Sequence, residues 1–253
     1  MKKNLFILLG ILTIFNFNIY ANGQSEDDNI LVVASNCEWP PLEFVDKDGE
    51  LAGFEVELIQ ALESVTDYKF KIVNVAWDGI FAGLSNGAYD LIASGVSVTE
   101  ERKPKMEFST PIIEITQSII APADATGMKS LKEVDGMTIG VQIGTTGHLV
   151  LLDTEEVDVD IKAYDNIALA IEDLINGNLD GVITDSVVAS DYVVLNENYN
   201  GKIKITGIAS SEVEPIAMAF KKGDLETLKI VNDGLQKLED NGELAALKAK
   251  WNL

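Results

Sequence analysis

The stretch Asp90–Pro104, "DLIASGVSVTEERKP", joins a short apolar run to a charged turn. The run is typical of a buried strand, and Thr99 with the two acids after it resembles a capped helix start. Ligands of open α/β sheets bind beyond the carboxyl ends of the strands. The stretch therefore places Arg102 where a ligand would lie. The donors nearby are Ser94, Gly95 and Ser97.

The rest of the chain alternates strands and short helices in the same way. Before this stretch, the pattern predicts strands over residues 30–35 and 69–75 and helices over 54–64 and 78–86. After it, the pattern predicts strands over 137–142, 159–164 and 180–185 and helices over 146–152, 167–175 and 187–195. Two helices follow, separated near residue 241. Such alternation indicates an α/β fold with parallel sheets.

The extended run "STPIIEITQSIIAPAD", residues 109–124, separates two stretches of this pattern. It is rich in β-branched residues and has no helical period, which favours an extended conformation. We therefore expect two similar lobes, bridged by this run, with a cleft between them.

Composition narrows the class of function. The chain has 253 residues and 47% hydrophobic content, enough for a proper core. Its net charge of −22 disfavours nucleic acid and anionic membranes as partners. One cysteine forms no internal disulfide, and one histidine cannot form a metal cluster. No catalytic motif is recognisable, so we expect neither an enzyme nor a cofactor nor a metal site.

The N-terminus is typical of an export signal. Two lysines precede an apolar run from Leu5 to Phe17 and then small residues, which predicts a signal peptide over 1–23 and a linker over 24–29. The run is shorter than the roughly 20 residues that span a bilayer. A retained anchor is the alternative, because Ile19 makes a poor cleavage site. We expect an exported protein, periplasmic or associated with the cell surface.

Each candidate site residue has an ordinary structural interpretation as well. Arg102 holds a ligand carboxylate through two parallel hydrogen bonds, or pairs on the surface with a neighbouring glutamate. The turn at 144–147, "GTTG", is an anion site at a helix N-terminus or a simple helix cap. Asp185 is a ligand for an ammonium group or an N-cap. Trp39 and Trp77 flank a ligand side chain or pack in the core.

From Ile30 to Trp251 the chain resembles the extracytoplasmic amino-acid-binding proteins of ABC importers, solute-binding protein family 3. The segments that carry the resemblance are residues 38–62, 76–111, 140–147 and 181–193. The resemblance implies the two-lobed periplasmic-binding-protein type II fold, in which each lobe has a mixed, mostly parallel sheet with flanking helices. Two hinge strands join the lobes. Lobe 1 comprises residues 30–116 and 212–253, and lobe 2 comprises 117–211.

The resemblance also implies roles for particular residues. Arg102 would bind the α-carboxylate and Asp185 the α-ammonium, while Trp39 and Trp77 flank the side chain. The supporting groups would be Ser94, Gly95, Ser97, Thr145 and Thr146. The remaining predicted ligand-binding residues are Asn36, Glu38, Gln117 and Gln142, of which Glu38 and Gln117, with Glu214, are candidates to contact a cationic tip. Asn36 stands where relatives often have Asp.

The implied function is capture of a polar, basic amino acid (arginine, lysine, ornithine or histidine) by lobe closure, and its delivery to an ABC transporter permease by a monomer. Glutamine or another polar amino acid is the alternative ligand. A cyclohexadienyl-dehydratase-like enzyme and a ligand-sensing subunit are alternative classes. Because the sequence ends directly after the last predicted helix, sensing would require a separate partner.

Overall fold

Two five-stranded sheets organise the part of the chain that the computed structural model describes, residues 29–155 and 157–253. The predicted export signal, and the linker as far as residue 28, lie outside these residues. Within them, no helix is both long and apolar enough to cross a membrane.

The strands and helices are short. The strands are β1 (Ile30–Ser35), β2 (Glu38–Trp39), β3 (Glu43–Val45), β4 (Leu51–Ala52), β5 (Lys69–Asn74), β6 (Leu91–Ile92), β7 (Met106–Phe108), β8 (Ile113–Pro122), β9 (Thr138–Gln142), β10 (Asp160–Tyr164), β11 (Gly181–Asp185), β12 (Ile203–Ile216) and β13 (Ala219–Lys221). The α-helices are α1 (Phe54–Val65), α2 (Ile80–Asn86), α3 (Thr146–Asp153), α4 (Ile167–Ile175), α5 (Ser186–Ser190), α6 (Leu225–Asp240) and α7 (Glu243–Lys250).

The two sheets share one pattern of strand directions. The first has the order β5-β1-β6-β13-β7, and the second has the order β10-β9-β11-β8-β12. In the first, only β13 runs against its neighbours, and in the second only β8 does. Four of the five strands in each sheet therefore share a direction. This confirms the predicted fold of two lobes, each with a mixed, mostly parallel sheet.

Two long strands connect the lobes. β8 leads into the second sheet, and β12 pairs with it antiparallel from Ile203 opposite Pro122 to Ile216 opposite Ile113. The register shifts three times along this pairing. After β12 the chain returns to the first sheet as β13, and α6 and α7 pack against α1. The first lobe thus contains both ends of the described chain, and the predicted boundaries at 116/117 and 211/212 fall within the two connecting strands.

Helix α1 shows how the apolar pattern sets the packing. Phe54, Leu58 and Leu62 recur at helical spacing and are fully buried. They form one core cluster with Leu235 of α6. Burying a side chain of this kind contributes about 1.5–3 kcal/mol, so the stripe holds the helix pair together. Gly53, directly before α1, lies close against the backbone of Leu42. A Cβ at this position would lie 2.3 Å from the Leu42 carbonyl oxygen, so the contact requires glycine.

Three elements differ from the sequence prediction. Residues 100–105 form a turn and not a helix, because Pro104 has no N–H to continue the backbone bonding. The helix predicted over 187–195 ends at Ser190 and continues as a π-type turn. The strand predicted over 90–94 is limited to β6, and the chain turns at Gly95, whose φ is 57°.

Candidate ligand-binding site

Loops at the carboxyl ends of strands from both lobes meet around one cavity. Asn36 follows β1, Ser94 follows β6, Thr145 follows β9, and Asp185 ends β11. This is the edge at which parallel strands present ligand-binding loops. Twelve residues line the cavity: Asn36, Trp39, Glu43, Trp77, Ser94, Gly95, Ser97, Arg102, Gln142, Thr145, Thr146 and Asp185.

Arg102 is buried in the wall of this cavity, at 7% exposure. Its Nη1 donates to the Ser97 carbonyl at 3.1 Å and its Nη2 to the Gly144 carbonyl at 3.2 Å. The guanidinium carbon lies 4.9 Å from the centre of the Phe81 ring and 5.9 Å from that of Trp77. A guanidinium over aromatic faces gains cation–π attraction. The wall therefore fixes the guanidinium without placing an anion on it.

The surface interpretation of Arg102 is wrong. Its acidic neighbours Glu100 and Glu101 pair instead with Lys103 and Lys105. In residues 29–155 and 157–253, Arg102 forms no ion pair. Burial lowers its pKa, an effect that the nearby Asp185 carboxylate opposes. An arginine stays protonated in proteins, so a buried positive charge faces the cavity.

Asp185 lies at the opposite lobe's side of the cavity and is 3% exposed. Its Oδ1 accepts from Gln117 Nε2 at 2.8 Å, and its Oδ2 accepts from Trp39 Nε1 at 3.0 Å. Although Asp185 occupies the N-cap position of α5, its side chain makes no capping bond. Burial, with repulsion from Glu214, raises its pKa to about 6, while the two hydrogen bonds and Arg102 oppose the rise.

The two threonines at the start of α3 behave differently. Thr145 is an ordinary cap, because its hydroxyl accepts from the His148 amide at 3.4 Å and donates to the Gln142 carbonyl at 2.8 Å. The Thr146 hydroxyl is directed to the cavity, where it lies 3.4 Å from that of Ser97 and accepts from Gln117 at 3.0 Å. Thr146 is therefore the hydroxyl of this turn that can serve a ligand.

The lobes touch through the site itself. Among the residues that the structure describes, four polar contacts cross between them: Trp39 with Asp185, Arg102 with the Gly144 carbonyl, Ser97 with Thr146, and Asn36 with Gln142. Each contact joins a residue before β8 to one after it. The site is complete only when both lobes contribute.

Two buried glutamates hold the Ser94–Gly95 loop, and the sequence prediction missed both. Ser94 Oγ donates to Glu43 Oε1 at 3.0 Å, and the Gly95 amide donates to Glu55 Oε2 at 3.2 Å. The only signal available was that each acid stands among apolar residues, in "PLEF" and "GFEV". Gly95 itself lies against Trp39, since a Cβ on it would be 3.1 Å from Trp39 Cδ1.

Burial determines the protonation of these glutamates. It raises the pKa of Glu55 to about 7, against the hydrogen bond from the Gly95 amide. Burial also raises the pKa of Glu43 well above its ordinary value, and the charge of Glu55 acts in the same direction. Two carboxyl groups near each other in a dry interior cannot both ionise easily. The surroundings of Glu43 therefore favour its protonated form.

Two predicted ligand contacts do not lie in the cavity wall. Glu38 is exposed and borders surface clefts outside the cavity. It neighbours Trp39 on β2, and successive side chains of a strand point to opposite faces, so only Trp39 faces inward. Gln117 is fully buried behind Asp185, and its amide nitrogen also lies 3.1 Å from Glu214 Oε1. Gln117 thus positions other site residues.

Phe81 is a further residue that the sequence prediction missed. Its ring packs edge-on against Trp77, with ring centres 5.1 Å apart, and both rings lie beside the Arg102 guanidinium. The spacing of four residues between the two aromatics is a helical spacing and could have indicated the pair. The two rings together form the aromatic side of the arginine pocket.

The arrangement suits a small molecule that carries both an anionic and a cationic group. A buried cation faces the cavity from one lobe and a buried carboxylate from the other, and two indoles line the space between. A zwitterion leaving water needs both of its charges met. Among the described residues, no three His, Cys, Asp or Glu side chains are grouped to hold a metal ion.

Comparison with known proteins matches most of this chain to bacterial solute-binding proteins and amino-acid-binding proteins. The family model described as bacterial extracellular solute-binding proteins, family 3, matches residues 31–253. A probable histidine-binding protein of Neisseria gonorrhoeae is 35% identical over 224 residues, 87% of this chain and 81% of that protein. The L-cystine-binding protein TcyJ of Escherichia coli (strain K12) is 32% identical over 222 residues, 87% of this chain and 82% of that protein.

The solved structures agree in fold. The structure of an ancestral arginine-binding protein bound to glutamine is 33% identical to this chain and superposes with a TM-score of 0.82. The superposition covers 88% of this chain and 97% of the other.

Proposed function

The chain belongs to the bacterial extracellular solute-binding proteins, family 3, and on this premise we propose that it captures an L-amino acid between its lobes for delivery to an ABC transporter permease. The observation that carries the proposal is the buried Arg102, whose guanidinium donates to carbonyl groups and forms no ion pair among the described residues, with the buried Asp185 on the other lobe. Relatives named for binding histidine and L-cystine support an amino acid as the ligand.

Each pole of the amino acid has an assigned partner. The α-carboxylate forms two parallel hydrogen bonds with the Arg102 guanidinium, because both groups are planar. It also accepts hydrogen bonds from the Ser97 and Thr146 hydroxyl groups. The α-ammonium donates to the Asp185 carboxylate and to acceptors of the Ser94–Gly95 loop. Trp39 and Trp77 cover the side chain.

Ligand binding and lobe closure are one event in this proposal. Arg102 belongs to the first lobe and Asp185 to the second, so both charges of the amino acid are met only when the lobes close. A ligand shifts a conformational equilibrium by its extra contacts in the favoured state. The closed form is then the one presented to the permease.

The side chain of the bound amino acid belongs to one of two candidate classes, basic or neutral polar. The predicted basic ligand is supported by the indole walls, because indoles attract cations. A neutral polar ligand is supported by the amide side chains of Asn36 and Gln142, which meet in the cavity. Relatives and neighbours named for histidine, L-cystine and arginine span both candidates.

We also propose that the protein acts without turnover, outside the cytoplasm and as a monomer. The relatives named above are binding proteins, which supports a non-enzymatic role. Incubation with prephenate or arogenate should give no product, and product formation would establish a dehydratase instead.

Calorimetry of the purified protein against the common L-amino acids tests the proposal. We expect at least one to bind, and we expect Arg102→Ala to weaken that binding by about 100-fold or more, because the α-carboxylate loses a buried ionic partner. Lys103→Ala is the matched control, since Lys103 is exposed and paired only on the surface. Unchanged affinity in Arg102→Ala, or no binding by any amino acid, would refute the proposal.

A further inference from the structure

We propose that Asn36 and Gln142 make the site selective for an amino acid whose side chain ends in an uncharged hydrogen-bonding group, such as an amide or a neutral imidazole. The inference rests on the proposed function and specifies its substrate class. It favours the neutral candidate over a permanently cationic arginine or lysine.

The two amides come from opposite lobes and meet inside the cavity. Asn36 follows β1 and Gln142 ends β9, and both are buried, at 4% and 1% exposure. Gln142 Nε2 donates to Asn36 Oδ1 at 3.4 Å, which is long for a hydrogen bond between amides. Asn36 Nδ2 donates to the Val75 carbonyl at 3.1 Å, so its orientation is set from behind.

The amide groups of Asn36 and Gln142 do not have all of their hydrogen-bond partners. Gln142 Oε1 is buried and has no hydrogen-bond partner among the residues that the structure describes. A buried acceptor without a donor costs about 1–3 kcal/mol. A ligand N–H would supply that donor, and a ligand acceptor could replace the weak bond from Gln142 Nε2. A side chain with both functions fits the pair best.

Arg102 and Asp185 already pair with the two charges that every amino acid carries, so the cavity has no ionic partner left among the described residues for a charged side chain. A cationic side chain would require a second carboxylate. Glu43 also lines the cavity, but one of its oxygens accepts a hydrogen bond from Ser94, and burial and the charge of Glu55 raise its pKa, which disfavours its charged form.

Two further acids, Glu38 and Glu214, do not line the cavity. Glu38 is exposed outside the cavity, and Glu214 does not line it and accepts from the Gln117 amide. A cationic side chain would therefore meet neutral amides and the indole faces of Trp39 and Trp77, without a carboxylate to pair with its charge. Burying an unpaired charge is more costly than burying a hydrogen-bonded neutral group.

Calorimetry with a chosen panel tests the selectivity. The purified protein is titrated at about pH 8, where histidine with its ordinary pKa of about 6.5 is neutral. We expect glutamine, asparagine or histidine to bind at least about tenfold tighter than arginine and lysine.

Two substitutions, one in each lobe, replace an amide of the pair with a carboxylate of nearly the same shape. Asn36→Asp and Gln142→Glu should each raise the ratio of arginine affinity to glutamine affinity by about tenfold or more. Glu38→Gln is the control, because it changes charge by one unit just outside the cavity, and it should leave the ratio unchanged.

The outcomes separate the two hypotheses. Tighter binding of arginine or lysine than of any neutral amino acid by the unmodified protein overturns the selectivity and leaves the proposed function standing. Absence of binding by every amino acid overturns the proposed function itself. Should one variant fail to fold, the other variant and the unmodified protein still decide the question.

Discussion

Neighbouring residues in the turn after Ser97 have very different environments. Arg102 is buried against aromatic rings, while Lys103 beside it is exposed and pairs with Glu100. The difference arises from packing against α2 and the second lobe and not from residue type. A buried cation is the group that can distinguish an anionic ligand, because water does not screen it.

We expect Asp185 to make ligand affinity dependent on pH. Its carboxyl group offers the α-ammonium a negative charge only when ionised, and burial raises its pKa to about 6. We therefore expect affinity to be constant above about pH 7 and to fall by up to about tenfold per unit below pH 6. Calorimetry between about pH 5 and pH 8 measures this.

Two variants separate this effect from general acid sensitivity. Asp185→Asn should bind weakly at every pH and lose the pH dependence, whereas Asp153→Asn, at an exposed residue, should behave as the unmodified protein. Constant affinity of the unmodified protein across this range would argue against Asp185 as the ammonium partner.

At the scale of elements, β3 and α1 support the binding loop that follows β6. Glu43 of β3 and Glu55 of α1 each accept one hydrogen bond from that loop and have one oxygen without a partner among the described residues. Such supports hold a loop in position but leave carboxyl groups in a dry interior. The cost appears in stability and depends on pH.

Stability should decrease as pH rises. The pKa of Glu55 is raised to about 7, so the folded state holds the proton more tightly than the unfolded chain does. This contribution is fully present below about pH 4.5 and is lost as pH rises through 7, and Glu43 and Asp185 act in the same direction. Thermal unfolding at pH 6 and pH 8.5 measures the loss, at about 1–3 kcal/mol for Glu55.

Glu55→Gln tests the origin of this dependence. The amide oxygen keeps the bond from the Gly95 amide and carries no charge, so the variant should be more stable than the unmodified protein at pH 8.5 and show a shallower decline. Glu50→Gln, at an exposed site of the same lobe, is the control. An equally steep decline in Glu55→Gln would show that another group is responsible.

The reliability of the sequence prediction follows element length. Helices α1 and α4 carry apolar stripes that recur at helical spacing, so the sequence predicts both that they form and which face of each is buried. The turn at 100–105 and the π-type turn after α5 are too short for any period to show. There, one proline or one packing contact decides the backbone.

At the scale of the whole molecule, the two lobes share the site. Because the residues assigned to the two poles of the ligand lie on different lobes, we expect amino-acid binding to make the molecule more compact. Small-angle X-ray scattering with and without ligand should show a smaller radius of gyration when the ligand is present. Arg102→Ala, the control, should show no change at the same concentration. Tight binding with identical scattering curves would refute closure as the capture step.

The sequence by itself determined the two α/β units, the strand ends at which ligands bind, and most residues of the cavity, including Arg102 and Asp185. Most of these follow from apolar periodicity and from position relative to a strand end, which are local properties, whereas Asn36 and Gln142 were implied by the family resemblance.

Only the tertiary structure decided which acids are buried and which amides meet. Glu43 and Glu55 lie inside and Glu38 lies outside, although all three are glutamates near one another in the sequence. Asn36 and Gln142 touch although 106 positions separate them. Burial and contacts between lobes depend on how distant segments pack, and that packing sets the charge and the hydrogen bonding of the cavity, on which the proposed selectivity depends.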